Sequence, residues 1–230
     1  MPAVCAGLVD YRQAMRSGGG FRERLFACWY PVVAGLSERA GQDETRRRLV
    51  GQASGRTLEI GAGNGYNLAH YPASVTELVV TDPSAPMLSH LERRLEEAPP
   101  PVGTWALVGA SGEDLPFPAA SLDTVVATFV HCTIPGPAAA LAQIARVLRP
   151  GGRYLFLEHV RAPQGSALGA FQDLVERPHR YAAGGCHPNR RTDALIRASA
   201  LRVETLVHGS QPRSLPSVRP TIIGTAIRGG

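Results

Sequence analysis

A glycine-rich run from Glu59 to Gly65 is the segment best suited to hold a ligand. It follows a short apolar strand pattern and precedes a helical one, and its glycines let the backbone turn tightly and approach a ligand closely. Asp82 lies 21 residues after Gly61, at the end of the next predicted strand. A carboxylate at that position can accept hydrogen bonds from ribose hydroxyls. These features together predict a site for a cofactor that contains adenosine.

The spacing of the glycines discriminates between adenosine cofactors. A dinucleotide fingerprint, G-x-G-x-x-G, needs its third glycine at the position where this chain has Tyr66. The run begins instead with an acidic residue, Glu59, which disfavours a pyrophosphate and suits a cationic ligand. S-adenosylmethionine carries a sulfonium and an α-ammonium group, so this cofactor fits the run better than a dinucleotide does.

Three side chains could move a proton or orient an acceptor molecule. His131 and His159 follow the fourth and fifth predicted strands, and ligands bind at the carboxyl ends of strands in open α/β sheets. Histidine exchanges a proton near neutral pH. Tyr11, in an N-terminal helix pattern, could close over the site. We predict these three residues as catalytic candidates; the alternative is that they are hydrogen-bonded or packed structural residues.

Other reactive residues have simpler interpretations. Glu158 could orient a histidine or form an ordinary ion pair. The four cysteines have no CxxC spacing, which predicts buried thiols in a reducing compartment and no metal site. The run Arg46-Arg47-Arg48 is typical of one solvated helix face.

The elements that position these residues alternate between strand and helix from residue 56 onward. Strand patterns occupy 57–60, 77–81, 105–108, 124–127 and 153–158, with helices over 86–97 and 141–148. Helical crossovers of this kind predict a parallel, doubly wound sheet. Two more strands, over 201–207 and 221–227, are joined by a proline-rich loop without a helix and should pair antiparallel.

The length of 230 residues indicates one domain, or one domain with a small appendage. We predict a helical N-terminal cap over 1–55, containing a helix over 42–50, and an α/β domain over 56–230. A helical segment over 162–188 lies between the fifth strand and a helix over 189–200, where an insertion could cover the acceptor.

Composition limits the partners. All 24 basic residues are arginine, and the net charge of +5 permits an acidic partner such as nucleic acid. Aromatic residues make up only 6% and none interrupts the Arg46-Arg47-Arg48 run, so no platform for stacking bases is visible. The chain has neither a signal peptide nor an apolar run of ~20 residues. We therefore expect a cytoplasmic protein that binds a small-molecule acceptor and, at most, a second copy of itself, with no membrane contact and nucleic acid disfavoured.

On these residues the chain resembles the class I S-adenosylmethionine-dependent methyltransferases of the methyltransferase-11 type. The resemblance covers Arg56 to about His159 and rests on the glycine-rich run, Asp82-Pro83 and the segments 112–117 and 148–152. It implies a Rossmann-like α/β fold with a seven-stranded sheet, mostly parallel with an antiparallel last strand, helices on both faces and an N-terminal helical lid. It also implies S-adenosyl-L-methionine as cofactor and S-adenosyl-L-homocysteine as product.

The resemblance further assigns cofactor-binding positions. Glu59, Gly61 and Gly63 would line the methionine part, Asp82 would hold the ribose, and Met87 would pack near the adenine. The turn over 111–113 would contact the adenine edge, although this chain has serine where many members have aspartate. The implied cofactor residues are Glu59, Gly61, Ala62, Gly63, Asn67, Asp82, Pro83, Met87, Gly112, Glu113, Asp114, Thr128 and Phe129.

A narrower resemblance carries the functional hypotheses. Asn67 with Tyr71-Pro72 and the segments 130–132, 157–160 and 184–187 are similar to the branch that contains mammalian thiol S-methyltransferases and actinobacterial relatives. We predict methylation of a small, largely apolar natural product, such as an indole carbon of a cyclic dipeptide, with thiol S-methylation as the alternative. RNA methylation and non-catalytic cofactor binding are less favoured, because strand four lacks an Asn-Pro-Pro-Tyr end and the glycine-rich run and Asp82 are intact.

Overall fold

The computed structural model describes residues 31–32 and 34–230, which contain one seven-stranded sheet with helices on both faces. Tyr11 and most of the predicted cap therefore lie outside the described residues. A π-helical turn, Glu38–Gln42, leads through a kink at Gly41 (φ 117°) into helix α1, Asp43–Val50. The helix predicted over 42–50 is thereby confirmed.

The strands follow the predicted order along the chain. They are β1 Gly55–Ile60, β2 Val75–Asp82, β3 Thr104–Gly109, β4 Leu122–Thr128, β5 Leu148–His159, β6 Leu201–Ser210 and β7 Pro220–Arg228. Their order in the sheet is β3-β2-β1-β4-β5-β7-β6, and β7 runs antiparallel to both of its neighbours. This confirms the mostly parallel seven-stranded sheet with an antiparallel last strand. Strand β5 begins earlier than predicted because Leu148 already pairs with Leu122.

The sheet separates two hydrophobic cores, because alternate side chains of a strand point to opposite faces. On one face, β-strand residues such as Leu58 pack with helix α3, Pro137–Val147, and helix α5, Thr192–Arg197. On the other face, residues such as Leu78 pack with α1 and with helix α2, Ala85–Glu97. Helices therefore cover both faces, as predicted.

The segment between β5 and α5 contains a further helix, α4, Ala167–Ala182, where the sequence predicts helical character. The Ser166 side chain caps it by accepting the backbone N–H of Gly169 at 3.0 Å. Helix α5 is shorter than the predicted helix over 189–200, because the backbone before it forms a turn in which Arg190 donates to the His187 carbonyl. Within 31–32 and 34–230, no helix combines the length and apolar character that crossing a bilayer requires.

Candidate active site

The carboxyl ends of five parallel strands meet along one edge of the sheet and gather most of the predicted site residues. Register pairs Asp82 with Gly109, Ile60 with Ala127, and Thr128 with Leu157. The glycine-rich run, the turn over 111–113 and the histidines after β4 and β5 therefore begin at neighbouring positions. This is the edge at which open α/β sheets bind ligands.

The glycine-rich run folds as a turn that only glycine accommodates without strain. Gly61, Gly63 and Gly65 have φ values of 60°, 54° and 68°. A Cβ on Gly61 would lie 2.7 Å from Cγ2 of Val130, so this glycine allows close packing of the turn on the β4 end. A Cβ on Gly63 would meet nothing closer than 4.0 Å, so the backbone there is open to a ligand.

Asp82 fixes this turn from the end of β2. Its carboxylate accepts the backbone N–H of Gly63 and of Ser84, each at 2.9 Å, and the residue is only 6% exposed. Charge-assisted hydrogen bonds of this kind are stronger than neutral ones. The carboxylate thus holds the cofactor-facing backbone in place at the position where sequence analysis puts the ribose.

Glu59 is buried at the end of β1 with both carboxylate oxygens hydrogen bonded. Asn67 donates from Nδ2 at 2.8 Å, and the Tyr71 hydroxyl donates at 2.7 Å. Burial raises the pKa of Glu59 to about 7, against the opposing effect of the Tyr71 and Asn67 hydrogen bonds. A carboxyl with this pKa gains charge readily when a cation is placed beside it.

Arg46 belongs to the same buried network, and the sequence prediction of a solvated arginine face is wrong for it. It is 4% exposed and donates to Glu38 at 2.9 Å, to Asn67 at 3.0 Å and to Thr128 at 2.7 Å. Its guanidinium also lies 5.2 Å from the ring centroid of Phe129. Sequence analysis missed this residue. The signal was that Arg46 lies three and four residues before the apolar Leu49 and Val50, and therefore on the same face of the helix.

Phe129 extends the site from β4 toward β5. It adopts φ 60°, unusual for a residue with a side chain, and its N–H donates to the Leu157 carbonyl at 2.7 Å. Its ring stacks on His159 with 4.4 Å between centroids. Thr128, the preceding residue, also accepts from Asn67 at 3.0 Å. The two residues link the predicted cofactor side of the edge to the predicted acceptor side.

The residues predicted near the adenine differ in their surroundings. Met87 is buried at the start of α2, and a Cβ on Gly112 would lie 2.9 Å from Cδ1 of Ile134. Glu113 accepts the backbone N–H of Gly136 at 2.6 Å, which ties the turn to the start of α3. Pro83 and Asp114 are exposed. The turn over 111–113 follows Gly109, which pairs with Asp82 in the sheet. One carboxylate oxygen of Glu113, however, is engaged by the Gly136 backbone rather than left for a ligand.

His131 is buried beneath the carboxyl-terminal edge of the sheet and is not on the protein surface. It has no exposed area, and its Nδ1 lies 3.1 Å from Oε1 of Glu158. The same carboxylate accepts the backbone N–H groups of Val130 at 3.1 Å and of His131 at 3.0 Å. This arrangement suits a group that positions the β4–α3 connection. Its catalytic role stays a prediction, since in this conformation the ring has no surface with which to touch an acceptor.

His159 is half-buried at the end of β5, between Phe129 and Gln211. Its Nε2 lies 2.8 Å from Oε1 of Gln211. Burial disfavours the charged imidazolium, but the Cys132 thiol and the Gln211 side chain favour it more, so the pKa of His159 is raised. Of the three catalytic candidates, His159 is the one that the described structure leaves within reach of a ligand.

The residues at this edge fit S-adenosylmethionine. The backbone at Gly63 is open, and Glu59 and Asp82 supply buried carboxylates to a cationic ligand and its ribose. The side-chain amide of Asn64, inside the turn, is buried with no hydrogen-bond partner among the described residues. A buried polar group without a partner is costly, so a ligand that bonds to it would be stabilised.

Comparison with known proteins agrees with this geometry. Residues 58–156 match the methyltransferase domain family. A thiol S-methyltransferase of Rattus norvegicus is 30% identical over 223 residues, covering 89% of this chain and 91% of the relative. The chain belongs to the class I S-adenosylmethionine-dependent methyltransferases. It is therefore an enzyme, and S-adenosylmethionine is the cofactor of its family.

Solved structures support the fold of this methyltransferase. A geranyl diphosphate methyltransferase in complex with S-adenosylmethionine aligns with a TM-score of 0.60 and 19% identity, covering 96% of each chain. The [4+2]-cyclase SpnF aligns with a TM-score of 0.65 and 16% identity, covering 82% of this chain and 80% of the cyclase. Because a cyclase shares it, the fold alone does not identify the acceptor.

Cofactor affinity should rise with pH because of Glu59. A cationic ligand stabilises the charged carboxylate, so binding releases a proton wherever free Glu59 is protonated, below its pKa of about 7. We expect S-adenosylmethionine affinity to increase about tenfold between roughly pH 6 and pH 8 and then to level off. Calorimetry in two buffers of different ionisation enthalpy would measure the released proton. A Glu59→Gln variant should bind more weakly and without this pH dependence; an unchanged dependence would exclude Glu59 as its source.

Proposed function

We propose that this methyltransferase transfers the methyl group of S-adenosylmethionine to the sulfur of a small, largely apolar thiol. The observation that carries the proposal is the extent of the similarity to thiol S-methyltransferases, which reaches 89% of the chain and so extends beyond the cofactor-binding half. The residues outside 56–160 would hold most of the acceptor specificity. Similarity that continues through them is evidence about the acceptor as well as the cofactor.

The histidine geometry agrees with a thiol acceptor. A thiol has a pKa of ~8.5 and is a strong nucleophile once ionised, so it needs little help from a base. His131, three residues after the end of the central strand β4, is fully buried against Glu158. His159 lies against Phe129 and Gln211 and leaves only part of its ring free. A site with so little exposed base suits an acceptor that ionises readily.

The residues of this edge have distinct tasks in the proposed reaction. When bound, S-adenosylmethionine supplies an electrophilic methyl group, and the protein contributes mainly positioning. Asp82 holds the Gly63 backbone and would accept from the ribose. Glu59 would balance the positive charge of the methionine part. Arg46 donates hydrogen bonds to Asn67 and Thr128, and so keeps in place the residues between the cofactor side and the acceptor side.

The earlier hypothesis of an indole carbon in a natural product stays a prediction that no contact in the described structure favours. An indole carbon is already nucleophilic, and an accessible base would assist the proton loss or ring closure that follows its methylation. RNA methylation has no added support, since Arg46, one of the three clustered arginines, is buried, whereas Arg47 and Arg48 pair with Glu44. The proposed partner is a small molecule.

Initial rates with methyl-labelled cofactor test the proposal. The acceptor panel should contain an aliphatic thiol, the alcohol with the same carbon skeleton, an indole and a tryptophan-containing cyclic dipeptide. We expect transfer to the thiol and none to the matched alcohol. Efficient transfer to the indole or the cyclic dipeptide, with none to any thiol, would contradict the proposal.

A further inference from the structure

Two cysteines and a histidine from three distant parts of the sequence converge beside Phe129. Cys132 follows β4, His159 ends β5, and Cys186 lies after α4. Their Sγ and imidazole nitrogen atoms all lie within 4.8 Å of one another, and Cys186 Sγ is 3.8 Å from His159 Nδ1. The two cysteines are 1% and 7% exposed, whereas the histidine is half-buried. The cluster is therefore closed on its cysteine side.

A backbone hydrogen bond connects the two loops that carry the cysteines. The N–H of His187 donates to the Cys132 carbonyl at 2.7 Å. Gly184 and Gly185, with φ of 59° and 94°, provide the turn that brings Cys186 back toward the sheet. The Arg190 guanidinium, which follows Cys186 in sequence, donates to the His131 and Ile134 carbonyls, which flank Cys132. The positions of the two thiols are thus set by the backbone.

The third member has its ring orientation fixed by a neighbour. Gln211 Oε1 lies 2.8 Å from His159 Nε2, and this amide oxygen can only accept, so Nε2 carries the proton. In the neutral imidazole, Nδ1 is then the unprotonated nitrogen, and it faces Cys186. Metal-binding histidines almost always donate their other ring N–H to such an oxygen, which fixes the tautomer in the same way.

We propose that Cys132, His159 and Cys186 bind a zinc ion, whose fourth position takes the thiol acceptor. Zinc bonds of about 2.3 Å to sulfur and about 2.0 Å to nitrogen, arranged tetrahedrally, separate a sulfur from a nitrogen ligand by about 3.5 Å. The observed separation of 3.8 Å between Cys186 Sγ and His159 Nδ1 is close to that value. Zinc sites with three protein ligands are typically catalytic, with the fourth position left for water or substrate.

The position of the cluster suits such a role in catalysis, and this half of the proposal rests on the proposed function. Phe129 stacks on His159 and directly follows Thr128, which lies on the predicted cofactor side. An acceptor thiol that coordinates zinc loses its proton to solvent and becomes a thiolate. Its sulfur then attacks the methyl carbon, the new S–CH3 bond forms as the sulfonium C–S bond breaks, and S-adenosylhomocysteine leaves. Zinc keeps its oxidation state throughout.

Zinc titration of the chelator-treated protein, kept reduced with a phosphine, tests the site independently of activity. We expect one zinc ion per chain, with submicromolar affinity. Cys132→Ser, Cys186→Ser and His159→Gln should each weaken binding at least about a hundredfold, and Gln211→Ala about tenfold. His187→Gln is the matched control, because this neighbouring histidine pairs with Glu176 at 2.8 Å and should retain full affinity on replacement.

Two results of that titration would overturn the site. One is less than a tenth of an equivalent of zinc bound to the wild-type protein. The other is binding that persists in the Cys132→Ser/Cys186→Ser double variant. Isolation of the protein with a Cys132–Cys186 disulfide that forms again in preference to zinc binding would also overturn it. None of these outcomes depends on methyl transfer, so they leave the proposed function to its own test.

Cobalt substitution tests the fourth position. The cobalt protein should show thiolate-to-metal charge transfer, and addition of an aliphatic thiol should shift the cobalt d–d bands, whereas the matched alcohol should not. If the thiol is methylated but leaves the cobalt spectrum unchanged, the zinc does not take the acceptor. If the spectrum shifts but no thiol is methylated, the site binds thiols and the proposed function fails instead.

Discussion

An Asp82→Ala variant should bind S-adenosylmethionine about a hundredfold more weakly than the wild type, and methyl transfer should fall with it. The variant loses the hydrogen bonds that the carboxylate accepts from Gly63 and Ser84, as well as those expected from the ribose. Hydrogen bonds to charged groups contribute about 1.5–3 kcal/mol each, and a tenfold loss of affinity corresponds to about 1.4 kcal/mol. Isothermal titration calorimetry with the cofactor measures the effect directly.

Asp123→Ala provides the matched control for this experiment. Asp123 also accepts a backbone N–H, from Arg56 at 2.6 Å, but it lies near the amino end of β4, at the opposite edge of the sheet. Its loss should leave cofactor affinity within about twofold of the wild type. If both variants bound the cofactor as the wild type does, the edge described here would not be the cofactor site.

An Arg46→Met variant should lose about 3–5 kcal/mol of unfolding free energy, because it leaves the buried Glu38 carboxylate without its cation. The same change removes the hydrogen bonds to Asn67 and Thr128. Burial and an opposing charge act against each other on Glu38, and its pKa is raised on balance even with Arg46 present. Urea unfolding followed by circular dichroism gives the free energy.

The neighbouring arginines are the control for that measurement. Arg47 and Arg48 belong to the same helix and share one exposed partner, Glu44. Exposed ion pairs contribute about 0–1 kcal/mol, so Arg47→Met and Arg48→Met should change stability little. Equal losses for all three variants would show that Arg46 has no special structural role.

Local patterns predicted the fold well because strand and helix periodicities reflect burial on two faces of one sheet. The short apolar runs of the buried parallel strands, such as residues 78–80 in β2, and the glycine spacing after Glu59 each follow from short-range geometry. The antiparallel end of the sheet was also predictable, since no α-helix separates β6 from β7, and the connection between them contains only a short 3-10 helix, Pro216–Val218. The prediction of a solvated face was wrong for Arg46, because consecutive residues of a helix point in different directions and Arg46 lies on the buried side of α1.

The arrangement of the acceptor side could not be predicted in the same way. Cys132, His159 and Cys186 have no short-range motif, and only the packing of two loops at the end of β5 brings their ligand atoms together. The burial of His131 depends on Glu158, which reaches it from the adjacent strand. Contacts of this kind depend on which strands are neighbours in the sheet, and that order is not a property of any local segment.

The most direct test of thiol S-methylation is the structure of the product made from an aliphatic thiol and cofactor carrying a deuterated methyl group. Mass spectrometry and carbon–proton correlation spectra would identify the atom that receives the label. We expect a thioether with the labelled methyl on sulfur, formed by the wild type and much less by Asp82→Ala at the same cofactor concentration. A labelled methyl on carbon, nitrogen or oxygen of any panel acceptor, with no thioether formed from any thiol, would contradict it.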